Sequence, residues 1–177
     1  MSVLIAPRKL DIGGIHISIR DQVHPADLAS VRRITESSGF FSVAEIEVAV
    51  ELVQTHLFQG ERSGYHFLFA DADAPIGQTI GYSCFGPIPC TLASFDLYWI
   101  AVHDSYRRIG LGKLLLAESE AAIRRMGGRR IYVETSSRAQ YQPTHVFYNR
   151  TGYLQQALVP DFFAPGDGKI IYVKELQ

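Results

Sequence analysis

Cysteine is nearly absent from this chain, whose 177 residues carry only Cys84 and Cys90. Two thiols are too few for a disulfide framework or a structural zinc site. Surplus charge is missing as well: 17 Lys and Arg stand against 18 Asp and Glu, for a net charge of −1. That balance gives no electrostatic footprint for nucleic acid or an anionic membrane. No apolar run approaches the length of a bilayer span, so no membrane partner is expected. The opening Met1-Ser-Val-Leu-Ile-Ala-Pro-Arg-Lys9 places its charges after a short apolar stretch, the reverse of a secretory leader. A cytoplasmic location is therefore expected. The six histidines show no ligand spacing, and no metal is expected.

What is present is the patterning of one α/β domain, long enough for a sizeable core. Residues 15–177 are expected to form it, with 1–14 as an N-terminal extension. Ile15–Ile19 alternates as a first strand. His24-Pro25 opens a helix with Leu28, Val31 and Ile34 on one face and Gly39 as its stop. Ser42-Val-Ala-Glu45 matches a capping box, followed by the stripe Ile46, Val50, Val53 and Leu57. Strands are expected at Tyr65–Ala70 and Gln78–Phe85 around the turn Asp71–Pro75, and again at Ala93–Val102. A helix over Leu114–Met126 ends at Gly127-Gly128, and a strand follows at Arg130–Thr135. A short helix spans Thr144–Arg150, and strands Tyr153–Val159 and Lys169–Lys174 enclose a loop over Pro160–Gly168.

Between the apolar strand and the long helix lies Arg107-Arg-Ile-Gly110-Leu-Gly112. Glycines let backbone approach a ligand closely, and a helix start offers unpaired N–H groups to an anion. Two arginines add bidentate donors. A Walker loop is excluded because Leu114 stands where a hydroxyl residue is required, and a dinucleotide fingerprint is excluded because Leu115 replaces the third glycine. On spacing alone the segment is either an anion site or a strand-to-helix turn.

Two other segments bear on it. A period of two puts Asp96, Tyr98 and Ile100 on one face of the strand and Phe95, Leu97 and Trp99 on the other. Asp96 is an acid in apolar surroundings: a base, a partner for a substrate ammonium, or a residue at an exposed strand start. Tyr148, in Phe147-Tyr-Asn-Arg-Thr-Gly-Tyr153, is either a packing residue or a catalytic one.

Together these residues resemble the GNAT superfamily of acyl-CoA-dependent N-acetyltransferases. Its acyl-CoA loop, Arg/Gln-x-x-Gly-x-Gly/Ala, is satisfied by Arg107 to Gly112, and the helix behind it carries Leu115-Leu116 and Glu120. Its Phe-Tyr-x-x-x-Gly-Phe segment is matched by Phe147 to Tyr153, with Tyr in the last place. The tail Asp161–Lys169 is similar to that of a subset of small members. Two positions depart from the pattern. Tyr141 stands where members often carry an asparagine, and Asp167-Gly168 stands where two acids are common.

The resemblance implies a mixed, mainly antiparallel sheet of about seven strands flanked by helices, with the fourth and fifth strands splayed. It implies acetyl-CoA as co-substrate. The backbone of Arg108, Ile109, Gly110, Leu111, Gly112 and Lys113 would cradle the pyrophosphate beside Arg107. Ile100, Ala101 and Val102 would bond the pantetheine arm, with Thr144 lining the same channel. Tyr148 would be the general acid, with Asp96 or Glu134 as the base. Phe40, Phe41, Tyr98, Phe162 and Phe163 would wall the acceptor side. The expected reaction is acetyl transfer to a small-molecule or peptide amine by direct attack in a ternary complex. A non-catalytic acyl-CoA sensor on the same fold, transfer of a longer acyl group, and homodimerisation stay open.

Overall fold

The computed structural model describes residues 8–73 and 77–176. One eight-stranded sheet runs through it in the order β1-β2-β3-β4-β5-β6-β8-β7. The strands are β1 (Arg8–Ile12), β2 (Ile15–Arg20), β3 (His66–Ala72), β4 (Gln78–Pro87), β5 (Ser94–Val102), β6 (Arg130–Ser136), β7 (Leu154–Ala164) and β8 (Asp167–Glu175). Every neighbouring pair is antiparallel except β5 and β6. The helices are α1 (Asp27–Ser37), α2 (Val43–Gln59), α3 (Leu111–Arg125) and α4 (Gln142–Arg150).

Each helix pair buries its apolar stripe in a separate core. Val31 and Ile34 of α1 and Ala49 and Val53 of α2 pack with Phe67, Phe69, Tyr82, Cys84 and Ala101. Leu111, Leu115, Leu116 and Ile123 of α3 join Tyr148 of α4 and strand residues including Ile17, Leu68, Phe95 and Val133. The expected capping box holds the start of α2: the Glu45 N–H reaches Ser42 Oγ at 3.3 Å, and Glu45 Oε2 accepts the Ser42 N–H at 2.7 Å. Leu57, at the end of the expected stripe, is 37% exposed, and Ala49 takes its place in the core. At the first position of α1, Asp27 is fully buried and gathers the Arg20 guanidinium at 2.6 Å and the His24 N–H at 2.7 Å.

Four departures from the sequence expectations matter for the site. First, the sheet has eight strands rather than about seven, because Arg8–Ile12 of the expected extension pairs with β2. Residues 1–7 of that extension, Ala74 and Pro75 of the expected turn, and Gln177 lie outside the described residues.

Second, α3 starts at Leu111, three residues earlier than expected, so Leu111, Gly112 and Lys113 form its first turn. Third, most of the expected loop Pro160–Gly168 is strand. β7 continues to Ala164 across a register break, with Asp161 at φ 52° and its carboxylate accepting the Gly166 N–H at 2.6 Å.

Fourth, Tyr98 has no partner on β4: Trp99 pairs with Cys84 and Leu97 with Phe85. This bulge inverts the alternation of side chains. Leu97 stays with Phe95 in the α3 core, whereas Trp99 moves across the sheet to pack against the α1–α2 core with Ala101.

Candidate active site

The parallel contact of β5 with β6 is short, covering Ser94–Asp96 against Arg130–Tyr132. Beyond it the two strands part, as the expected splay of the fourth and fifth strands requires once β1 is added to the count. Between them opens a cleft of about 970 Å³. Leu97 to Val102 line one wall and Val133 to Ser136 the other. Parted strands leave main-chain N–H and C=O groups without a ladder partner, and these can bond an extended ligand arm.

The glycine loop closes one end. After β5 the chain makes a 3-10 turn over Asp104–Tyr106, then enters left-handed backbone at Arg108 (φ 66°) and Gly110 (φ 97°). For Arg108 that conformation costs on the order of 1 kcal/mol, and the surrounding structure holds it. Gly110 sits at the N-cap and brings no side chain to cap α3. The Leu114 N–H takes Gly110 O at 3.1 Å, and the amides of the preceding turn face the positive end of the helix dipole. Gly112 forms part of the floor, where an added Cβ would lie 3.9 Å from both Phe147 and Val102.

The two arginines differ. Both touch the cleft, but Arg107 is committed to the protein: Asp104 at 3.2 Å, Ser38 O at 3.4 Å and the Phe40 ring at 5.2 Å. Among the described residues Arg108, which also lines the cleft, has no comparable anchor. Ile109 turns away toward the β1–β2 turn, where a Cβ on Gly13 would stand 3.0 Å from its Cβ.

Tyr148, on α4, lines the cleft and is almost fully buried, packed edge-on against Phe147 and Tyr153 and tilted against Tyr172. Burial pushes its phenol above its ordinary value of about 10, so the proton stays on at neutral pH. Glu134 lines the opposite wall and is paired with Lys169 at 3.0 Å. Asp96 lies at the closed end of the splay and is not itself a wall residue. Burial first, then the Glu134 charge, pushes its carboxyl up to about 6, against an opposing pull from Lys169.

Of the expected residues, the cleft gathers Phe40, Phe41, Tyr98, Ile100, Ala101, Val102, Arg107, Arg108, Gly112, Glu134, Thr144, Tyr148 and Phe163. Asp96, Ile109, Gly110, Leu111, Lys113 and Phe162 do not line it. Leu111 is buried in the α3 core, Lys113 is exposed, and Phe162 sits outside with Lys169 Nζ 3.9 Å over its ring.

Sequence reasoning missed several wall residues. Trp99 was hidden by the bulge. Tyr141 rests on Phe40 at 6.1 Å between ring centroids and donates to Phe40 O at 3.3 Å. Arg138, Ser136 and Asp167 form a cluster at the far end, with the Arg138–Asp167 ion pair at 3.0 Å and the Ser136 hydroxyl donating to Asp167. The single acid kept in the tail was the available signal for that cluster. Among the described residues no group of three or more His, Cys, Asp or Glu could hold a metal ion, and no helix is long and apolar enough to cross a membrane.

Comparison with known proteins places this geometry. The GNAT acetyltransferase domain matches residues 63–155. A GNAT-family protein from Desulfovibrio desulfuricans superposes with a TM-score of 0.87 at 46% identity, covering 90% of this chain and 98% of that one. At lower identity the fold alone is shared. The ribosomal-protein-S18-alanine N-acetyltransferase of Escherichia coli gives a TM-score of 0.72 at 18% identity, over 91% of this chain and 94% of that one. The PaiA N-acetyltransferase of Thermoplasma acidophilum, solved with coenzyme A, gives 0.68 at 21%, over 90% and 99%. None of the curated proteins matches the chain. With the domain matched over just over half of the 177 residues, and a relative sharing 46% identity, the chain belongs to the GNAT acetyltransferase family.

Proposed function

We propose that the protein transfers acetyl from acetyl-CoA to a primary amine by direct attack in a ternary complex. The observation that carries this reading is the cleft between parted strands, closed at one end by an uncapped helix start and lined by a buried tyrosine. The residues fit such a donor. Gly110 leaves the first-turn amides open to a pyrophosphate, Gly112 keeps the floor low, and Arg108 adds a cation at the mouth. Ile100 to Val102 offer main-chain bonds to the amides of the pantetheine arm, and Thr144 of α4 lines the same cleft.

The chemistry needs three services from the chain. An ammonium must lose a proton before its nitrogen can attack the thioester carbonyl. Asp96, with its carboxyl near 6, is deprotonated at neutral pH yet basic enough to accept that proton through water. Glu134, nearer the cleft, is the second candidate, with its charge already met by Lys169. The developing oxyanion needs a donor, for which a main-chain N–H at the end of β5 is suited. As the C–S bond breaks, Tyr148 gives its phenolic proton to the departing thiolate, and the extra proton shed by the acylated nitrogen restores the phenol. Neither cysteine is placed for a covalent acyl-enzyme, since Cys84 is buried in the other core and Cys90 lies in the β4–β5 turn, and the cleft serines Ser38, Ser42 and Ser136 donate to Thr35 O, Glu45 and Asp167.

The test is release of free thiol from acetyl-CoA across a panel of amines, with calorimetry of CoA binding alongside. Turnover is expected. Tight CoA binding with silence over a broad panel would favour the sensor, which has no use for Tyr148.

A further inference from the structure

Resting on that reading, we infer that the acceptor is an arylalkylamine, a primary amine joined by a short chain to an aromatic ring. Six rings line the cleft: Phe40, which also lies beneath the Arg107 guanidinium, Phe41, Tyr98, Trp99, Tyr141 and Phe163. They come from four separate segments, namely the α1–α2 connection, β5, the turn before α4, and β7.

The connection spans both sides of the splay. Phe41 rests on Trp99 of β5 with centroids 4.9 Å apart and planes tilted 60°. Phe40 rests on Tyr141 at 6.1 Å and 47°. Tilted pairs present ring edges to ring faces, the geometry in which a third ring packs well. Tyr98 and Phe163 keep 38% and 52% of their surface exposed although both line a concave wall. Uncovered aromatic surface inside a cleft is ligand-binding surface.

The charges agree with a cationic head on that apolar body. Three carboxylates, Glu45, Glu134 and Asp167, line the cleft. Lys169 is paired with Glu134 and Arg138 with Asp167, each at 3.0 Å. Glu45 accepts from the neutral Ser42 N–H and hydroxyl, so its charge is not cancelled. Glu45 is thus a lining carboxylate without a cationic partner among the described residues, and it attracts an ammonium.

Other amines fit less well. A polyhydroxylated amine needs many uncommitted polar side chains, but Ser136 and Arg138 are held by Asp167, Ser42 by Glu45, Ser38 by Thr35 O and Thr135 by Ser136 O, which leaves Thr144 among the lining Ser and Thr hydroxyls. A linear polyamine needs a row of unpaired acids and gains nothing specific from six rings.

The experiment compares 2-phenylethylamine and tryptamine with putrescine, an aminoglycoside and a tripeptide, using the full chain, acetyl-CoA and thiol release. The aryl amines are expected to show kcat/KM at least tenfold above every other acceptor, on the order expected for covering one ring. Phe41→Leu and Trp99→Leu should each raise KM for 2-phenylethylamine about tenfold and leave KM for acetyl-CoA unchanged. Phe41 lies in a connection outside both cores, so its variant stays informative if Trp99→Leu fails to fold. Putrescine, the aminoglycoside or the peptide matching the aryl amines would overturn the inference while acetyl transfer stands. Calorimetric CoA binding without aryl-amine turnover would overturn it too. No acetyl-CoA binding at all would instead remove the reading on which it rests.

Discussion

Gly13 lies directly against Ile109: a Cβ built on the glycine would stand 3.0 Å from the isoleucine's Cβ and 3.2 Å from its Cγ2. The turn between the first two strands therefore buttresses the loop that starts α3, although nearly a hundred residues separate them. Gly13 is also at φ 60°, where a side chain is strained. We expect Gly13→Ala to destabilise the fold by about 1–2 kcal/mol and to raise KM for acetyl-CoA several-fold, with KM for the amine unchanged. Gly14→Ala is the control. It has a similar positive φ of 79° but nothing within 4 Å, so it should cost stability without moving the loop. Thermal melts and initial-rate kinetics on the pair separate strain from contact.

Tyr148→Phe removes one hydroxyl from a buried ring stack and little else. If Tyr148 supplies the leaving-group proton, kcat should fall about 100-fold, while the melting temperature and CoA affinity stay near wild type. CoA binding and turnover both intact would remove the tyrosine from the mechanism.

Asp96→Asn tests the pH behaviour. The carboxyl is raised in the fold, from 3.8 to about 6, so the folded state binds the proton more tightly than the unfolded chain. The stability it contributes is fully present below about pH 4 and is lost as pH rises through about 6. Asparagine cannot ionise, so above pH 7 the variant should be more stable than wild type by about 1 kcal/mol, allowing for solvent screening at a half-buried site. The gain should vanish at pH 4. If Asp96 is also the base, the same variant loses turnover and the wild-type rate rises through pH 6.

Lys174 places its ammonium 2.8 Å from both oxygens of Glu120 and 2.9 Å from Thr151 O. Glu120 is a buried position on α3. Lys174→Met leaves its charge without that partner and should cost about 2–4 kcal/mol, read as a lower denaturant midpoint. Adding Glu120→Gln should recover part of the loss. No recovery would mean the lysine stabilises through packing alone.

What could be read from the sequence was local. The capping box at Ser42 and Glu45, the glycine loop and the Phe147–Tyr153 segment each depend on a few consecutive residues, so their signals survive without partners. The features that escaped depend on contacts distant along the chain. Arg8–Ile12 is a strand because β2 offers it an edge. Trp99 faces the α1–α2 core because β4 skips Tyr98 in the pairing, which alternation within β5 cannot reveal. Pro, Asp and Gly made residues 160–168 read as a loop, but pairing with β8 extends β7 to Ala164, and Asp161 absorbs the break. Arg107 lines the cleft as read, but its bond to Ser38 and its seat on Phe40 come from the fold and could not be seen in the sequence.

The short parallel contact between β5 and β6 has a mechanical consequence. Among the described residues three register pairs stitch β1–β5 to β6–β8 within the sheet, so the ladder is thinnest at this seam and the α3 core carries the rest of the joint. A donor arm bonded along Ile100–Val102 would act as an extra rung at that seam. Saturating acetyl-CoA should then do more than raise the melting temperature by mass action. It should bring the amide exchange of the two halves onto a common opening free energy, turning two units of local unfolding into one.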